Sequence, residues 1–236
     1  MKRQQLKRFI TALLREERLV DIKKRLLRFD QRSLINPLVS CLCHTDETIR
    51  WHSVSAIGEV VNTIGDEEIE NARIVMRRFL WMLNDESGGI GWGVPEAMSE
   101  SMYHNQILAE EYMHMLVSYS KDDGPELFQD GNFIELPLLQ HGVLWGLCRL
   151  AGKYNERLVN LGVDENIDFY LSSNDSQVRG LACLLCGLLS RVGSIHLMTS
   201  LISDSNKLSI YSGGKMIQYT VGQLASSAVE SMRQER

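Results

Sequence analysis

The chain has 236 residues, of which 44% are hydrophobic and 7% are aromatic, and it contains only four prolines. This composition is typical of a folded globular protein and argues against a disordered chain. The 30 acidic residues outnumber the 25 lysines and arginines, and the net charge of −5 disfavours a dedicated nucleic-acid-binding protein, which needs a basic surface for phosphate contacts.

The N-terminal segment has the opposite charge to the rest of the chain. Residues 1–32 contain eleven lysines and arginines and four acidic residues, a charge of +7, whereas the remaining residues carry −12. Apolar residues recur every three or four positions through residues 6–27, so residues 1–30 are predicted to form a basic amphipathic helix. The pattern leaves open whether this helix is broken near Asp21. We interpret this helix as the cap of a repeat array. The alternative is a helix that docks on an anionic partner or membrane.

The chain contains internal repeats, in which a related helix sequence returns at intervals of roughly forty residues. The clearest copies are residues 46–59 and 175–187, which share an Asp, a β-branched residue, an Arg and a late Gly. Weaker copies are residues 90–100 and 139–149, and a frayed fifth copy is residues 216–229. Such intervals are typical of two-helix solenoid units.

Each copy is preceded by a segment that is predicted to form the first helix of its unit. These segments have apolar residues at helical spacing, and they are residues 34–43, 67–83, 107–119, 164–171 and 194–202. No segment alternates polar and apolar residues for long enough to need a β-sheet. Residues 121–132 and 203–214 are predicted to be loops within the array.

The motif Asp-x-x-[Ile/Val]-Arg, at residues 46–50 and 175–179, resembles the second helix of HEAT or armadillo-type repeats, as in the HEAT-like repeats related to phycobilin lyases. Residues 77–98, with their glycines and Pro95, look like the hallmark segment of small bacterial HEAT-like proteins of unassigned function. The resemblance implies an all-α fold, a right-handed α-α superhelix of about five two-helix repeats. Residues 31–236 are expected to form this array as a single domain, capped by residues 1–30.

In such solenoids, the second helices line a concave surface, which is the usual binding face. Positions that are four residues apart share one stripe of a helix, and this stripe predicts an acidic groove rich in tryptophan. The groove residues are Trp51, Ser55, Glu59, Trp92, Glu96, Glu100, His141, Trp145 and Arg149. Tryptophan is common at binding hot spots, but the alternative is that each Trp packs between repeats as part of the core.

The glycine-rich segment 84–93 is a second candidate for a ligand site. Glycines permit close approach of the backbone to a ligand, and the segment leads into a helix N-terminus, where anions bind. A structural role, with Ser87 or Asp85 capping the helix, is the favoured interpretation. The candidate residues of this loop are Asn84, Asp85, Glu86, Ser87, Gly88 and Gly89.

Metal binding is a weaker prediction. Glu96, Glu100 and His104 share one helical face, and carboxylate and imidazole ligands suit Mn, Fe or Zn. The set Glu110, Glu111 and His114 repeats this pairing of ligand types on the next helix. Because such pairs are also common on solvated helix surfaces, no metal and no cofactor is assigned.

The chain is expected to be soluble and cytoplasmic. Its five cysteines are an odd number among apolar neighbours, which indicates reduced thiols. Cys183 and Cys186 lie in an apolar run without further metal ligands, so buried thiols are favoured over metal or redox chemistry. That run, residues 180–189, is shorter than the roughly 20 residues that span a bilayer. The first residues lack the apolar region of a signal peptide.

Three functions are compatible with these patterns. The leading one is a non-catalytic interaction protein that binds a protein or peptide partner on the acidic, Trp-lined face, since no nucleophile motif is present. The alternative is a lyase-like or cofactor-handling protein that holds a small conjugated ligand near residues 84–93, with Glu96 as a proton donor whose pKa is raised by burial. The third is a HEAT-like DNA repair protein, which an acidic groove disfavours.

Overall fold

The computed structural model describes residues 2–16, 18–84, 91–122, 124 and 132–234. Within these residues lie the helices α1 (Arg3–Glu16), α2 (Leu19–Leu26), α3 (Gln31–Val39), α4 (Glu47–Glu67), α5 (Ile69–Asn84), α6 (Val94–His104), α7 (Gln106–Ser118), α8 (Pro137–Asn160), α9 (Val163–Leu171), α10 (Ser176–Leu188), α11 (Ile195–Leu201) and α12 (Val221–Gln234). A two-stranded sheet, β1 (Lys207–Ser212) and β2 (Lys215–Thr220), precedes α12. The predicted all-α class is confirmed.

The helices divide into two compact units. Unit 1 comprises Met1–Met113 together with Gly213–Lys215, and unit 2 comprises His114–Ser212 together with Met216–Arg236. No helix in the described part of the chain combines the length and the hydropathy that crossing a membrane requires.

α4 is the central helix of unit 1. Helices α1, α2, α3, α5 and α6 all contact it, and residues 49–58 are buried except for Arg50. Asp46 caps its N-terminus by accepting two backbone N–H groups of the first turn, at 3.0 and 3.4 Å. Gly58 allows α6 to approach closely, because a Cβ at this position would lie 2.9 Å from Cβ of Glu100. The first copy of the repeated motif therefore forms a helix that its neighbours surround.

The basic N-terminal segment forms two helices. α1 ends at Glu16 and α2 begins at Leu19, so the break precedes Asp21. Most lysines and arginines of this segment are exposed. Its buried apolar side chains are Leu6, Ile10, Leu13, Leu14, Ile22 and Leu26. The amphipathic pattern is present in the structure, and the role of this segment as a cap stays a prediction.

Unit 2 is built around α10, which contacts α8, α9, α12 and β1. Asp175 caps the N-terminus of α10 by accepting a backbone N–H at 3.0 Å. Gly180 makes room for β1, because a Cβ there would lie 2.3 Å from Cδ1 of Leu208. Cys183 and Cys186 are buried on the same helix, and burial raises the pKa of the Cys183 thiol to about 12. These thiols are therefore part of the core of unit 2, as the apolar run predicts.

The strands β1 and β2 are the main departure from the sequence prediction. A loop is predicted over residues 203–214 and a helix over residues 216–229, but residues 207–212 and 215–220 are strands and α12 begins only at Val221. Two glycines with φ of +57° and +87° connect the strands, and such angles are those of a tight hairpin turn. β1 is only six residues long, and the alternation of its polar and apolar residues did not lead to the prediction of a strand. This part of the prediction was wrong.

Candidate functional site

The predicted groove residues fall in both compact units. Those of α4 and of residues 92–100 belong to unit 1, and those of α8 belong to unit 2. The predicted loop residues Asp85, Glu86, Ser87, Gly88 and Gly89 lie outside the described residues. Asn84 is the last residue of α5 and is exposed.

The three predicted groove tryptophans differ in their exposure. Trp51 on α4 and Trp145 on α8 are buried, with 8% and 6% of their surface exposed, and Ser55 is buried as well. Trp92, which precedes α6, is half-buried. Trp51 and Ser55 are buried because other helices surround α4, and Trp145 is buried beneath β1. Of the three tryptophans, Trp92 is therefore the one whose surface is available to a ligand.

The predicted groove residues of unit 2 have structural partners. Nε1 of Trp145 donates a hydrogen bond to the backbone oxygen of Tyr211 on β1 at 3.0 Å, and the two ring centroids are 6.4 Å apart. Nε2 of His141 lies 2.9 Å from Oδ1 of Asp175, the residue that caps α10. Burial acts to raise the pKa of Asp175, but the N–H of Val178 and the nearby His141 hold it below its usual value. These side chains join α8 to β1 and to α10.

Unit 1 contains a polar cluster of four side chains, which we call the His104 cluster. Nζ of Lys23 on α2 bonds to Oε1 of Glu59 on α4. Nε2 of His104 lies 3.7 Å from that oxygen and 3.2 Å from Oε2 of Glu100, which is 4% exposed. Two of the three predicted groove glutamates therefore lie beside a Lys or His side chain of the same unit.

The candidate metal ligands are not arranged around a common point. Nowhere in the described ranges do three or more His, Cys, Asp or Glu side chains form a group that could hold a metal ion. Glu100 and His104 pair with each other, while Glu111 binds Nε of Arg73 at 2.8 Å and Glu110 accepts a hydrogen bond from Gln106 at 2.8 Å. These contacts show the carboxylates in ion pairs and hydrogen bonds within the chain.

Glu96 on α6 differs from the other two glutamates. Its side chain is half-buried, and its Oε2 atom is buried without a hydrogen-bond partner in the part of the chain that the structure describes. Loss of hydration raises the pKa of the Glu96 carboxyl to about 7, although a hydrogen bond from its own backbone N–H and the charge of Arg50 act in the opposite direction. This carboxyl therefore exchanges its proton near neutral pH.

Arg50 on α4 lies close enough to Glu96 to influence its charge. The guanidinium carbon of Arg50 is 5.9 Å from the centroid of the Trp51 ring, and one terminal nitrogen is 3.3 Å from Oε1 of Glu47. Nε of Arg50 is buried and has no hydrogen-bond partner among the described residues. We call Arg50, Trp51, Trp92 and Glu96 the Glu96 site. The described part of the chain leaves the donor Nε of Arg50 and the acceptor Oε2 of Glu96 in this site unsatisfied, and such buried atoms are costly to leave unpaired.

One exposed tryptophan lies outside the predicted groove. Trp81 on α5 is 66% exposed, and Ile74 on the same helix is 54% exposed. The groove prediction considered only the second helix of each unit, whereas α5 is a first helix. The positions of Ile74, Arg78 and Trp81, at i, i+4 and i+7, are a signal that could have identified this stripe.

No protein-family model and no curated protein matches the chain. Solved structures match it over nearly its whole length. A designed armadillo repeat protein in complex with the peptide (KR)4 is 16% identical, with a TM-score of 0.58 over 97% of this chain and 92% of that one. A second designed armadillo repeat protein is 15% identical, with a TM-score of 0.57 over 98% and 92% of the two chains.

A computationally designed armadillo repeat protein for modular peptide recognition is 16% identical, with a TM-score of 0.54 over 97% of this chain and 92% of that one. At these identities the likeness shows the fold alone. The relation to phycobilin lyases is not shown by these matches. The chain is thus similar in fold to designed armadillo repeat proteins, which confirms the all-α repeat fold class predicted from the repeated motif.

Proposed function

We propose that the protein is a non-catalytic repeat scaffold that binds a peptide segment of a partner protein at the Glu96 site. The observation that supports this is the pair of buried, partnerless atoms: the acceptor Oε2 of Glu96 and the donor Nε of Arg50. The backbone of a bound peptide supplies both N–H donors and C=O acceptors, so a peptide at this site would satisfy both atoms. Trp92, which is half-buried and precedes Glu96 by four residues, is the candidate for apolar contact with the peptide.

The repeat fold supports the same ligand class. One designed armadillo protein of similar fold is described in complex with (KR)4, a peptide of alternating lysine and arginine. A basic side chain of a peptide could also pair with the Glu96 carboxylate, in the way that Lys23 and His104 pair with Glu59 and Glu100. A basic peptide is therefore the appropriate first probe.

The pKa of Glu96 adds a pH dependence to this proposal. A cationic peptide binds the charged carboxylate better than the neutral acid, and the pKa of the free carboxyl is about 7. The affinity is therefore expected to rise as the pH increases through about 7, with release of a proton on binding at lower pH.

The test is a titration of the labelled peptide (KR)4 into the full chain, followed by fluorescence polarisation at several pH values. Glu96→Gln is expected to weaken binding about tenfold and to remove the pH dependence. Glu67→Gln, an exposed position at the other end of α4, is the matched control and should bind as the unsubstituted chain does. Unchanged affinity of Glu96→Gln, or no measurable binding of the peptide at any pH, would contradict the proposal.

A second candidate function is the handling of a small conjugated ligand. It is favoured by one observation, the carboxyl of Glu96, which keeps part of its protons near neutral pH and can act as a proton donor. An open-chain tetrapyrrole is the probe, because a tetrapyrrole stacked on Trp92 would quench the fluorescence of the Trp92 indole. Quenching that is lost in Trp92→Phe supports this function, and quenching that persists in that variant argues against it.

A further inference from the structure

A second surface of unit 1 is formed by α1, α3 and α5. A cavity of about 400 Å³ lies between α1 and α3, and its polar lining includes Arg3, Lys7 and Asn36. An adjoining cavity of about 200 Å³ shares Asn36 and is also lined by Arg32 and Arg78. We call these two cavities, with the exposed stripe of α5, the basic groove.

The positive charge of the basic groove is not compensated within the described residues. Arg3, Lys7, Arg32 and Arg78 are exposed, and none of them forms an ion pair with an acidic side chain of the described ranges. The partner of Arg78 is neutral, because its Nη1 donates to Oδ1 of Asn36 at 2.7 Å. The groove therefore presents four cations to solvent.

Two neighbouring arginines of α5 differ from Arg78 because they pair with acidic side chains. Arg73 pairs with Glu111, and Arg77 pairs with Glu70 at 2.6 Å. Arg77, and to a smaller extent Arg73, hold the pKa of the Glu70 carboxyl below its usual value, chiefly through the hydrogen bond from Arg77. Glu70 of α5 and Glu111 of α7 are therefore taken by Arg73 and Arg77, and Arg78 is left for an external partner.

The basic groove also has an apolar part. Ile74 and Trp81 are 54% and 66% exposed, and with Arg78 between them they form one stripe of α5. The smaller cavity is lined on its apolar side by Ile35, Ile74 and Val75. Its volume is below the roughly 300–1,000 Å³ of small-molecule sites and suits one aliphatic or aromatic side chain. Tryptophan is enriched at protein-binding hot spots.

We propose that the basic groove docks an acidic amphipathic helix of a partner protein. An apolar side chain of that helix would enter the smaller cavity and contact Ile74 and Trp81, while its carboxylates face the four cations. Nucleic acid would use the cations but not the apolar stripe, because its phosphates seek basic side chains. The basic groove would take an acidic ligand, whereas the Glu96 site is proposed to take a basic peptide, so the two proposals concern different partners.

The probe is a labelled synthetic helix of about 18 residues with Leu on one face and Glu on the others, compared with a peptide in which Lys replaces Glu. The full chain is tested alongside Arg32→Glu/Arg78→Glu and, as a second variant, Trp81→Ala. The matched control is Arg8→Glu/Lys24→Glu, which makes the same change in net charge at exposed positions that do not line the groove. Circular dichroism checks that each variant is folded.

The Glu-containing helix is expected to bind, and more weakly as salt is added. Binding should weaken about tenfold or more in Arg32→Glu/Arg78→Glu and in Trp81→Ala, and less than about twofold in the control. Glu96→Gln should leave this affinity unchanged, which separates the result from the test of the Glu96 site. The inference is overturned if the Lys-containing helix binds equally well or if the groove variants bind normally. It is also overturned if duplex DNA or anionic vesicles bind through Arg32 and Arg78 and the acidic helix does not.

Discussion

Replacing Glu96 by Gln is expected to change how stability depends on pH. The pKa of Glu96 is raised by burial to about 7, against 4.5 for an unperturbed glutamate. Between about pH 4.5 and about pH 7 the folded chain therefore binds more protons than the unfolded chain, and the free energy of unfolding falls as the pH rises. A pKa difference of this size between the folded and unfolded states corresponds to about 3 kcal/mol in the free energy of unfolding. Because the side chain is only half-buried and solvent screens its charge, we expect an effect of about 1–3 kcal/mol.

Gln has the shape of the neutral acid and cannot ionise. Glu96→Gln should therefore match the unsubstituted chain near pH 4.5 and exceed its stability by about 1–3 kcal/mol near pH 8. Urea unfolding followed by far-ultraviolet circular dichroism measures the difference, with the exposed Glu67→Gln as the control. Equal stability of Glu96→Gln and the unsubstituted chain across this pH range would refute the argument that the carboxylate of Glu96 loses its hydration on folding.

Three further substitutions test the packing around the site residues. Gly58→Ala places a Cβ 2.9 Å from Cβ of Glu100 and should cost about 1–3 kcal/mol in urea unfolding, whereas Gly152→Ala, where a Cβ would meet nothing within 4 Å, should be neutral or stabilising. Trp145→Phe removes the hydrogen bond to the backbone oxygen of Tyr211 on β1 and should lower the free energy of unfolding by about 1–3 kcal/mol. An unchanged free energy of unfolding would show that water replaces the indole as the donor. Asp175→Ala removes the cap of α10 and should lower stability by about 0.5–2 kcal/mol, an effect that should shrink in acid, where the Asp175 carboxyl is protonated.

Most helices were predictable because their signals are local. The Asp residues that open the two clearest repeat copies cap α4 and α10. The helix predicted over residues 164–171 is Val163–Leu171, and the helix predicted over residues 194–202 is Ile195–Leu201. Capping and apolar spacing act within a few residues, so one sequence suffices to locate them.

The hairpin could not be predicted because its stability comes from distant residues. Leu208 of β1 packs where Gly180 of α10 has no side chain, and the backbone of Tyr211 accepts the indole N–H of Trp145. A six-residue strand has little local signal, and its partners are far away in the sequence. The same contacts explain why Trp145 is a core residue and not part of an open groove.

The sequence by itself determined the repeated helices and the stripes that contain Glu59 on α4 and Glu96 and Glu100 on α6, because helical spacing decides which residues of one helix share a face. Only the tertiary structure decided what these three carboxylates do. Glu59 meets Lys23 and Glu100 meets His104, whereas Oε2 of Glu96 is buried without a partner. Lys23 comes from α2, and its approach to Glu59 depends on packing that spacing along one helix does not encode, whereas His104 lies four residues after Glu100 on α6.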